Sequence, residues 1–175
     1  KFFKKAPETE QIIKSLKNNN DVYLVPAFTG LGAPYWDSNS RGVLSGLTRD
    51  TGPKEIIRAT VESVAFQTYD LFEAMKHDGL RPKVVKVDGG MVMNNWFSQF
   101  LSDVVNVQVL RPKVQETTAL GAALMAGLQI GVYKSLKDIS KNWSLDKKFS
   151  PKMKNKKRVY LIKGWSKAIK RTLIT

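Results

Sequence analysis

Two adjacent glycines follow a short apolar run in the segment VVKVDGGMVMNNWFSQF, and Asn94 comes four residues after the second glycine. Residues 83–87 predict a buried strand, Gly89 and Gly90 a tight turn, and the residues from Asn94 onward a helix. Glycine lets a ligand approach the bare backbone, and the start of a helix offers unpaired N–H groups and a positive dipole end. The pattern therefore fits a ligand site, in which the amide of Asn94 can donate to and accept from a polar heterocycle or a ribose.

The same residues also fit an ordinary turn. An Asp-Gly-Gly sequence between a strand and a helix is common turn chemistry. The two frequent phosphate fingerprints, Gly-x-Gly-x-x-Gly and Gly-x4-Gly-Lys, are both missing from the chain. Taken alone, the segment leaves both interpretations open.

Other side chains of catalytic type have plain structural interpretations. His77 is the single histidine and is predicted at a solvated helix end, while Glu62 and Glu73 are predicted on the solvent face of the same helix. Trp36 is expected to pack its long loop onto the core, and Glu116 to precede a helix that begins with a threonine cap. We therefore assign no catalytic residue and no metal ligand within the chain.

The glycines lie within an alternation of helices and strands. Periodicity and turn residues predict strands at 22–28, 43–47, 83–87 and 107–110, and helices at 53–77, 94–103, 117–129 and 163–173. The alternation after Pro53 argues for an α/β domain with at least two parallel strands covered by helices. A lysine-rich connection is predicted between Tyr133 and the last helix.

The net charge of +14 is unevenly distributed along the 175 residues. An N-terminal segment, 1–20, carries +3, a core, 21–131, carries −1, and a basic extension, 132–175, carries +12. A protein that grips phosphate backbones over its folded face would carry excess charge in the core as well. The distribution therefore favours a solvated lysine-rich surface over nucleic-acid binding, and a polyanion-binding module at 132–175 stays open as the alternative.

The composition also limits the redox chemistry and the cellular location. Cysteine is absent, which excludes disulfide bonds and thiolate metal sites and suits a cytoplasmic protein. The longest apolar stretch, 119–128, is interrupted by glycine and is far shorter than the roughly 18 residues that a membrane span needs. The basic N-terminal residues lack the pattern of a signal peptide. We expect neither a membrane span nor a signal peptide.

Several long motifs resemble one family. The run PAFTGLGAPYWDSNSRGVLSGLTRDTGPKEIIRATVESVAFQ is similar to the FGGY family of carbohydrate kinases and, within it, to the glycerol kinases. The spacing from Gly42 to Glu62 matches the C-terminal signature of the family, and the PAFTGLGAPYWD loop matches that of the glycerol kinases. VDGGMVMNN, ETTALGAALMAGL and GWSKAIKRT follow in the same order and spacing, so the resemblance covers about residues 21–171.

The resemblance implies a partial actin-like, ribonuclease-H-like α/β domain, one of two that bind nucleotide and glycerol in the cleft between them. It implies transfer of the ATP γ-phosphate to glycerol, giving sn-glycerol 3-phosphate, with Mg²⁺ on the phosphates. Gly90 and Asn94 match the family's nucleotide contacts, with Gly89 beside them. Met91 and Met93 stand where the family has small residues. A homo-oligomer is compatible with this interpretation.

The resemblance also implies what lies outside the chain. The family's catalytic aspartate, most of its glycerol-binding residues and the first hairpin of this domain precede residue 1. We therefore expect the parent protein to be an ATP-dependent phosphotransferase and the isolated chain to be inactive. An interaction protein that retained the fold without the activity is a further alternative.

A last expectation concerns the basic segment DKKFSPKMKNKKR, residues 146–158. The matching segment of some bacterial relatives is acidic and docks a regulatory protein, whereas Lys154 and Lys157 stand here. Charge reversal at a docking contact is costly, so we expect that docking to be lost. We further expect the segment to form a mobile, solvated loop.

Overall fold

The computed structural model describes residues 7–173, which form six α-helices, five strands and one 3₁₀ turn in that part of the chain. In chain order the elements are α1 (Pro7–Lys14), β1 (Tyr23–Val25), β2 (Val43–Ser45), α2 (Pro53–His77), β3 (Val84–Lys86), the 3₁₀ turn (Gly90–Met93), α3 (Asn95–Val105), β4 (Gln108–Pro112), α4 (Thr117–Gln129), α5 (Leu136–Ser140), β5 (Leu145–Phe149) and α6 (Asn155–Thr172). The predicted α/β class and the predicted order from α2 to α4 are confirmed.

The strands form two small sheets. β1 and β2 pair in antiparallel fashion, with Tyr23 opposite Ser45. β3 and β4 pair in parallel, with Val84 opposite Gln108, and β5 adds to the other side of β4 in antiparallel fashion. Helix α3 connects the two parallel strands, as a parallel pair requires a crossover. The carboxyl end of β3, where the glycines follow, therefore lies at one edge of the three-stranded sheet.

Helix α2 begins where the sequence indicates and is only partly covered. Pro53 occupies its first position, and the Glu55 carboxylate accepts a hydrogen bond from the Gly52 N–H at 3.0 Å. In the first half of the helix, Ile57 and Val61 of the predicted apolar stripe are buried and Val64 is partly buried. Its last members, Leu71 and Met75, are each 40% exposed. The amino-terminal part of α2 therefore carries most of its contact with the core.

Four aromatic side chains join separate elements in the core. Phe66 of α2 stacks on Trp165 of α6 with ring centroids 5.3 Å apart, and it meets the edge of Phe100 of α3 at 5.6 Å. Tyr23 of β1 lies 5.9 Å away on another side. Aromatic pairs in such arrangements contribute beyond their buried area. Through this cluster, α6 packs against the rest of the fold. The end of the basic extension is therefore part of the folded core.

Two expectations about single residues are wrong. Glu62 is not on a solvated face: it is 1% exposed and pairs with the Arg58 guanidinium at 2.7 Å. Burial raises the pKa of Glu62, while the Arg58 charge acts in the opposite direction. Trp36 is 79% exposed instead of packing on the core. Its loop closes on itself through two backbone hydrogen bonds between Leu31 and Asp37, which leaves the indole outside.

The basic extension is more regular than predicted. Residues 146–158 are not one loop: 146–149 belong to β5, which pairs with β4, and α6 begins at Asn155 instead of near residue 163, so only 150–154 are irregular. The lysines of α6 occupy its solvent side, and lysine is a good helix former. The opposite side carries a buried stripe: Leu161, Trp165, Ala168, Ile169 and Thr172. Helices α1 and α5 were also not predicted.

Helix α4 is apolar but barely covered within the described residues. Gly127 is its one buried residue, and a Cβ there would lie 2.9 Å from the Tyr133 ring, so a close approach requires glycine. Met125 is 48% exposed, and the alanines beside it face outward. No helix within residues 7–173 combines the length and the apolar character that crossing a membrane requires.

Candidate functional site

The glycines form a turn, here called the glycine turn (residues 88–94), between β3 and α3. Gly89 has φ +85°, a left-handed conformation that favours glycine. Gly90 lies outside that region, and a Cβ built on it would meet no atom within 4 Å. Neither backbone conformation nor packing within the described residues therefore requires glycine at position 90. Its backbone is open to an approaching ligand.

Asn94 has a structural task that the sequence analysis did not assign. It caps α3, because its side-chain oxygen accepts a hydrogen bond from the Phe97 N–H at 3.0 Å. Its amide nitrogen lies 3.5 Å from the Thr9 hydroxyl, which is a long and weak contact. Asn94 is thus held at the start of the helix by its oxygen. Its N–H groups are the part of the side chain that can turn toward a ligand.

The first half of the glycine turn is fastened to the start of α4. The Asp88 carboxylate accepts a hydrogen bond from the Thr117 hydroxyl. The Gly89 N–H donates to the Gln115 carbonyl at 3.3 Å. These bonds hold Gly89 and the residues before it beside the loop that follows β4.

The second half of the turn is fastened by Arg111 of β4, which the sequence analysis missed. The residue is 5% exposed, and its guanidinium donates to the Val92 carbonyl at 2.7 Å, to the Met93 carbonyl at 3.3 Å and to the Asn95 side chain at 3.2 Å. The available signal was an arginine directly after the predicted strand at 107–110. Its partners lie too far away in the sequence for a local pattern to reveal them.

The start of α3 has an electropositive side and an acidic side. The Lys147 ammonium lies 3.3 Å from the Asn95 side-chain oxygen, close to the guanidinium of Arg111. On the other side, Glu10 of α1 accepts a hydrogen bond from the Asn95 N–H at 3.1 Å. Burial alone raises the pKa of Glu10, but hydrogen bonds from Lys14 and from this N–H lower it overall. The carboxylate of Glu10 therefore already lies at the positive end of the helix dipole, on the side away from the two cations.

The methionines of the turn do not disturb its shape. Met91 and Met93 are 43% and 47% exposed, whereas Val92 between them is buried at 5%. The 3₁₀ turn therefore anchors itself through Val92 and carries both methionines on its surface. Larger side chains are accommodated here because they point away from the core.

Comparison with known proteins identifies the family. The model of the FGGY family of carbohydrate kinases, C-terminal domain, matches residues 4–130, which is well over half of the chain. The chain belongs to the FGGY family of carbohydrate kinases. The glycine turn and α4 both lie inside the matched region, whereas β5 and α6 lie beyond it.

Two relatives show how much of an FGGY protein the chain represents. It is 53% identical to glycerol kinase 1 of Pseudomonas aeruginosa and 51% identical to a glycerol kinase of Clostridium botulinum, over 98% and 99% of this chain. In both comparisons the match covers 35% of the relative. The chain therefore spans about a third of the length of these relatives.

Solved structures agree with the family assignment. A Plasmodium falciparum glycerol kinase with ADP superposes with a TM-score of 0.86 at 37% identity, over 99% of this chain and 35% of that one. A ligand-bound xylulose kinase from Lactobacillus acidophilus superposes with a TM-score of 0.75 at 24% identity, over 97% and 35%, which supports the fold alone. The expectation of a partial actin-like α/β domain is confirmed.

Proposed function

We propose that the chain is the nucleotide-binding part of a glycerol kinase, which transfers the γ-phosphate of ATP to glycerol and gives sn-glycerol 3-phosphate. The observation that carries the nucleotide assignment is the open backbone of Gly90, a glycine that neither conformation nor packing explains. The choice of glycerol is supported by relatives that are called glycerol kinases and are identical to this chain at about half of the matched positions.

In this proposal each residue of the site has a separate role. Gly90 lets the nucleotide lie against the backbone, and Gly89 supplies the left-handed bend that presents it. Asn94 acts as a donor through its amide nitrogen, because its oxygen is already bonded to the Phe97 N–H. The backbone N–H groups at the start of α3 already bond to Glu10 and Asn94, so we assign them no phosphate contact.

The chemical step needs groups that we do not assign to this chain. Phosphoryl transfer depends on metal-bound phosphates and on a group that positions the acceptor hydroxyl. Within residues 7–173, no group of three or more His, Asp and Glu side chains is arranged to hold a metal ion. We assign no Mg²⁺ ligand and no catalytic base to this chain, and we propose that the longer protein supplies both.

The proposal includes the organisation of the chain. Residues 21–131 form the nucleotide-binding core, residues 1–20 lead into it, and residues 132–175 complete it in place of a separate module. Two contacts support the last point: β5 pairs with β4, and Trp165 of α6 stacks on Phe66. Only net charge favours a polyanion-binding module. A cytoplasmic location suits a protein whose substrates are ATP and glycerol.

The activity is tested on the whole protein with ATP, Mg²⁺ and either glycerol or xylulose. We expect glycerol-dependent ADP release with a kcat/KM about a hundredfold above that for xylulose, because a site that pairs the hydroxyls of one substrate rejects another strongly. The chain alone serves as the control and should show no turnover. A whole protein that phosphorylates xylulose in preference to glycerol, or neither, would contradict the proposal.

A further inference from the structure

Most of the hydrogen bonds that Arg111 donates go to one short segment. Three of its four bonds go to Val92, Met93 and Asn95, which are the end of the glycine turn and the first residue of α3. The fourth goes from Nε to the Asp146 carboxylate at 2.7 Å. The side chain of Arg111 is 7% exposed, and its bond to the Val92 carbonyl is buried with it.

The two carbonyls have few alternative partners. They lie at the carboxyl end of a four-residue 3₁₀ turn, where the last carbonyls have no N–H partner within the turn. The Val92 carbonyl accepts one further bond, from the buried Ser98 hydroxyl at 2.9 Å. The guanidinium adds a second bond to the Val92 carbonyl and one to the Met93 carbonyl, and these bonds stabilise the position of the turn. The rigid planar fork of arginine also fixes distances that a lysine ammonium cannot.

Strand β5 in turn holds the guanidinium. Asp146 accepts from Nε, and the Phe149 ring lies 5.5 Å from the guanidinium carbon. β5 lies beyond residue 130, where the match to the family's C-terminal domain ends. A segment outside the family's matched region is therefore connected to the glycine turn through one buried side chain.

We propose that Arg111 is a positioning residue for nucleotide binding: it fixes the place of the glycine turn on the sheet without touching the nucleotide. The proposal rests on the proposed function, because it assumes that the turn binds ATP. It extends that function by giving β5, through Asp146, a share in nucleotide affinity.

The test measures ATP and glycerol dissociation constants of the whole protein with Arg111→Lys. We expect ATP binding to weaken about tenfold, since a support that holds a binding turn controls its geometry, while glycerol binding stays within about twofold. Arg58→Lys is the matched control. Arg58 is also 5% exposed and also bonds a carboxylate and a carbonyl, those of Glu62 and Leu16, and its guanidinium contacts α3 through a tryptophan ring instead of the glycine turn. It should lose thermal stability and keep its ATP affinity.

A second variant keeps the proposal testable if Arg111→Lys does not fold. Asp146→Ala removes a partner that is 41% exposed and leaves the guanidinium in place, so it should fold and weaken ATP binding about threefold. Unchanged ATP affinity in Arg111→Lys, or in Asp146→Ala if that is the variant that folds, would overturn the inference. So would an equal loss in Arg58→Lys. If Gly90→Ala also leaves the ATP affinity unchanged, the proposed function has failed. If Gly90→Ala weakens ATP binding but the Arg111 and Asp146 variants do not, only the inference about Arg111 has failed.

Discussion

The side-chain oxygen and nitrogen of Asn94 make different contacts. The oxygen caps α3 through the Phe97 N–H, whereas the nitrogen makes a long contact, at 3.5 Å, with the Thr9 hydroxyl. A substitution that removes the whole side chain therefore removes a helix cap together with any bond to a ligand. The two effects are separable, because serine also caps helices and has no amide nitrogen.

The Asn94→Ser variant isolates the donor. Because serine keeps the cap, we expect its free energy of unfolding to stay within roughly 0.5 kcal/mol of the native value. Loss of one hydrogen bond to the nucleotide should cost about 1–2 kcal/mol, which is roughly a 5- to 30-fold weaker ATP dissociation constant. Chemical unfolding and ATP titration of the whole protein measure the two quantities. An unchanged ATP dissociation constant in Asn94→Ser would show that Asn94 does not contact the nucleotide.

At the scale of the elements, α2 and α6 are joined by a partly buried carboxylate. The Trp165 indole N–H donates to the Asp70 carboxylate at 2.7 Å. Burial raises the pKa of Asp70, although hydrogen bonds from Trp165 and Tyr35 partly oppose this. A raised pKa means that the folded protein favours the protonated carboxyl. Asp70 therefore lowers the stability as the pH rises from the ordinary aspartate pKa through its raised value in the folded state.

The Asp70→Asn variant removes this pH dependence and keeps an acceptor for the indole. We compare the free energy of unfolding of the variant with that of the native protein. We expect this difference to favour the variant more at pH 7 than at pH 4. Urea unfolding of both proteins at the two pH values measures the difference. A difference in unfolding free energy that does not change between pH 4 and pH 7 would mean that Asp70 titrates as it does in the unfolded chain.

Local patterns predicted the elements around the site, but not what holds them. The strand, the two glycines and α3 follow each other within about 20 residues, so periodicity and turn chemistry indicate them directly. The bond between Arg111 and Asp146 joins positions 35 residues apart, and the contact between Asn94 and Thr9 joins positions 85 apart. β5 was not predicted because four of its five residues are exposed and Phe149 is its one buried residue. Such an edge strand shows no alternation of apolar and polar residues in the sequence.

At the scale of the whole molecule, the chain has a surface that suits a part of a larger protein. Helix α4 is apolar, yet Gly127 is its one buried residue within the described part of the chain. Exposed apolar surface of this kind is usually covered by another part of the protein or by a partner. The relatives are about three times as long as this chain. If the proposed function holds, we expect the rest of the longer protein to cover α4 and to bring the catalytic groups to the glycine turn.

The central claim is that the open backbone at Gly90 receives ATP, and one measurement tests it most directly. The experiment compares the ATP dissociation constants of the whole protein with Gly90→Ala and with Gly32→Ala. A Cβ at either position meets no atom within 4 Å, and neither glycine has a positive φ, so both variants should fold normally. We predict at least about tenfold weaker ATP binding in Gly90→Ala alone, because its methyl group occupies the space where a ligand meets bare backbone. Equal, native-like ATP affinity in both variants would contradict the account.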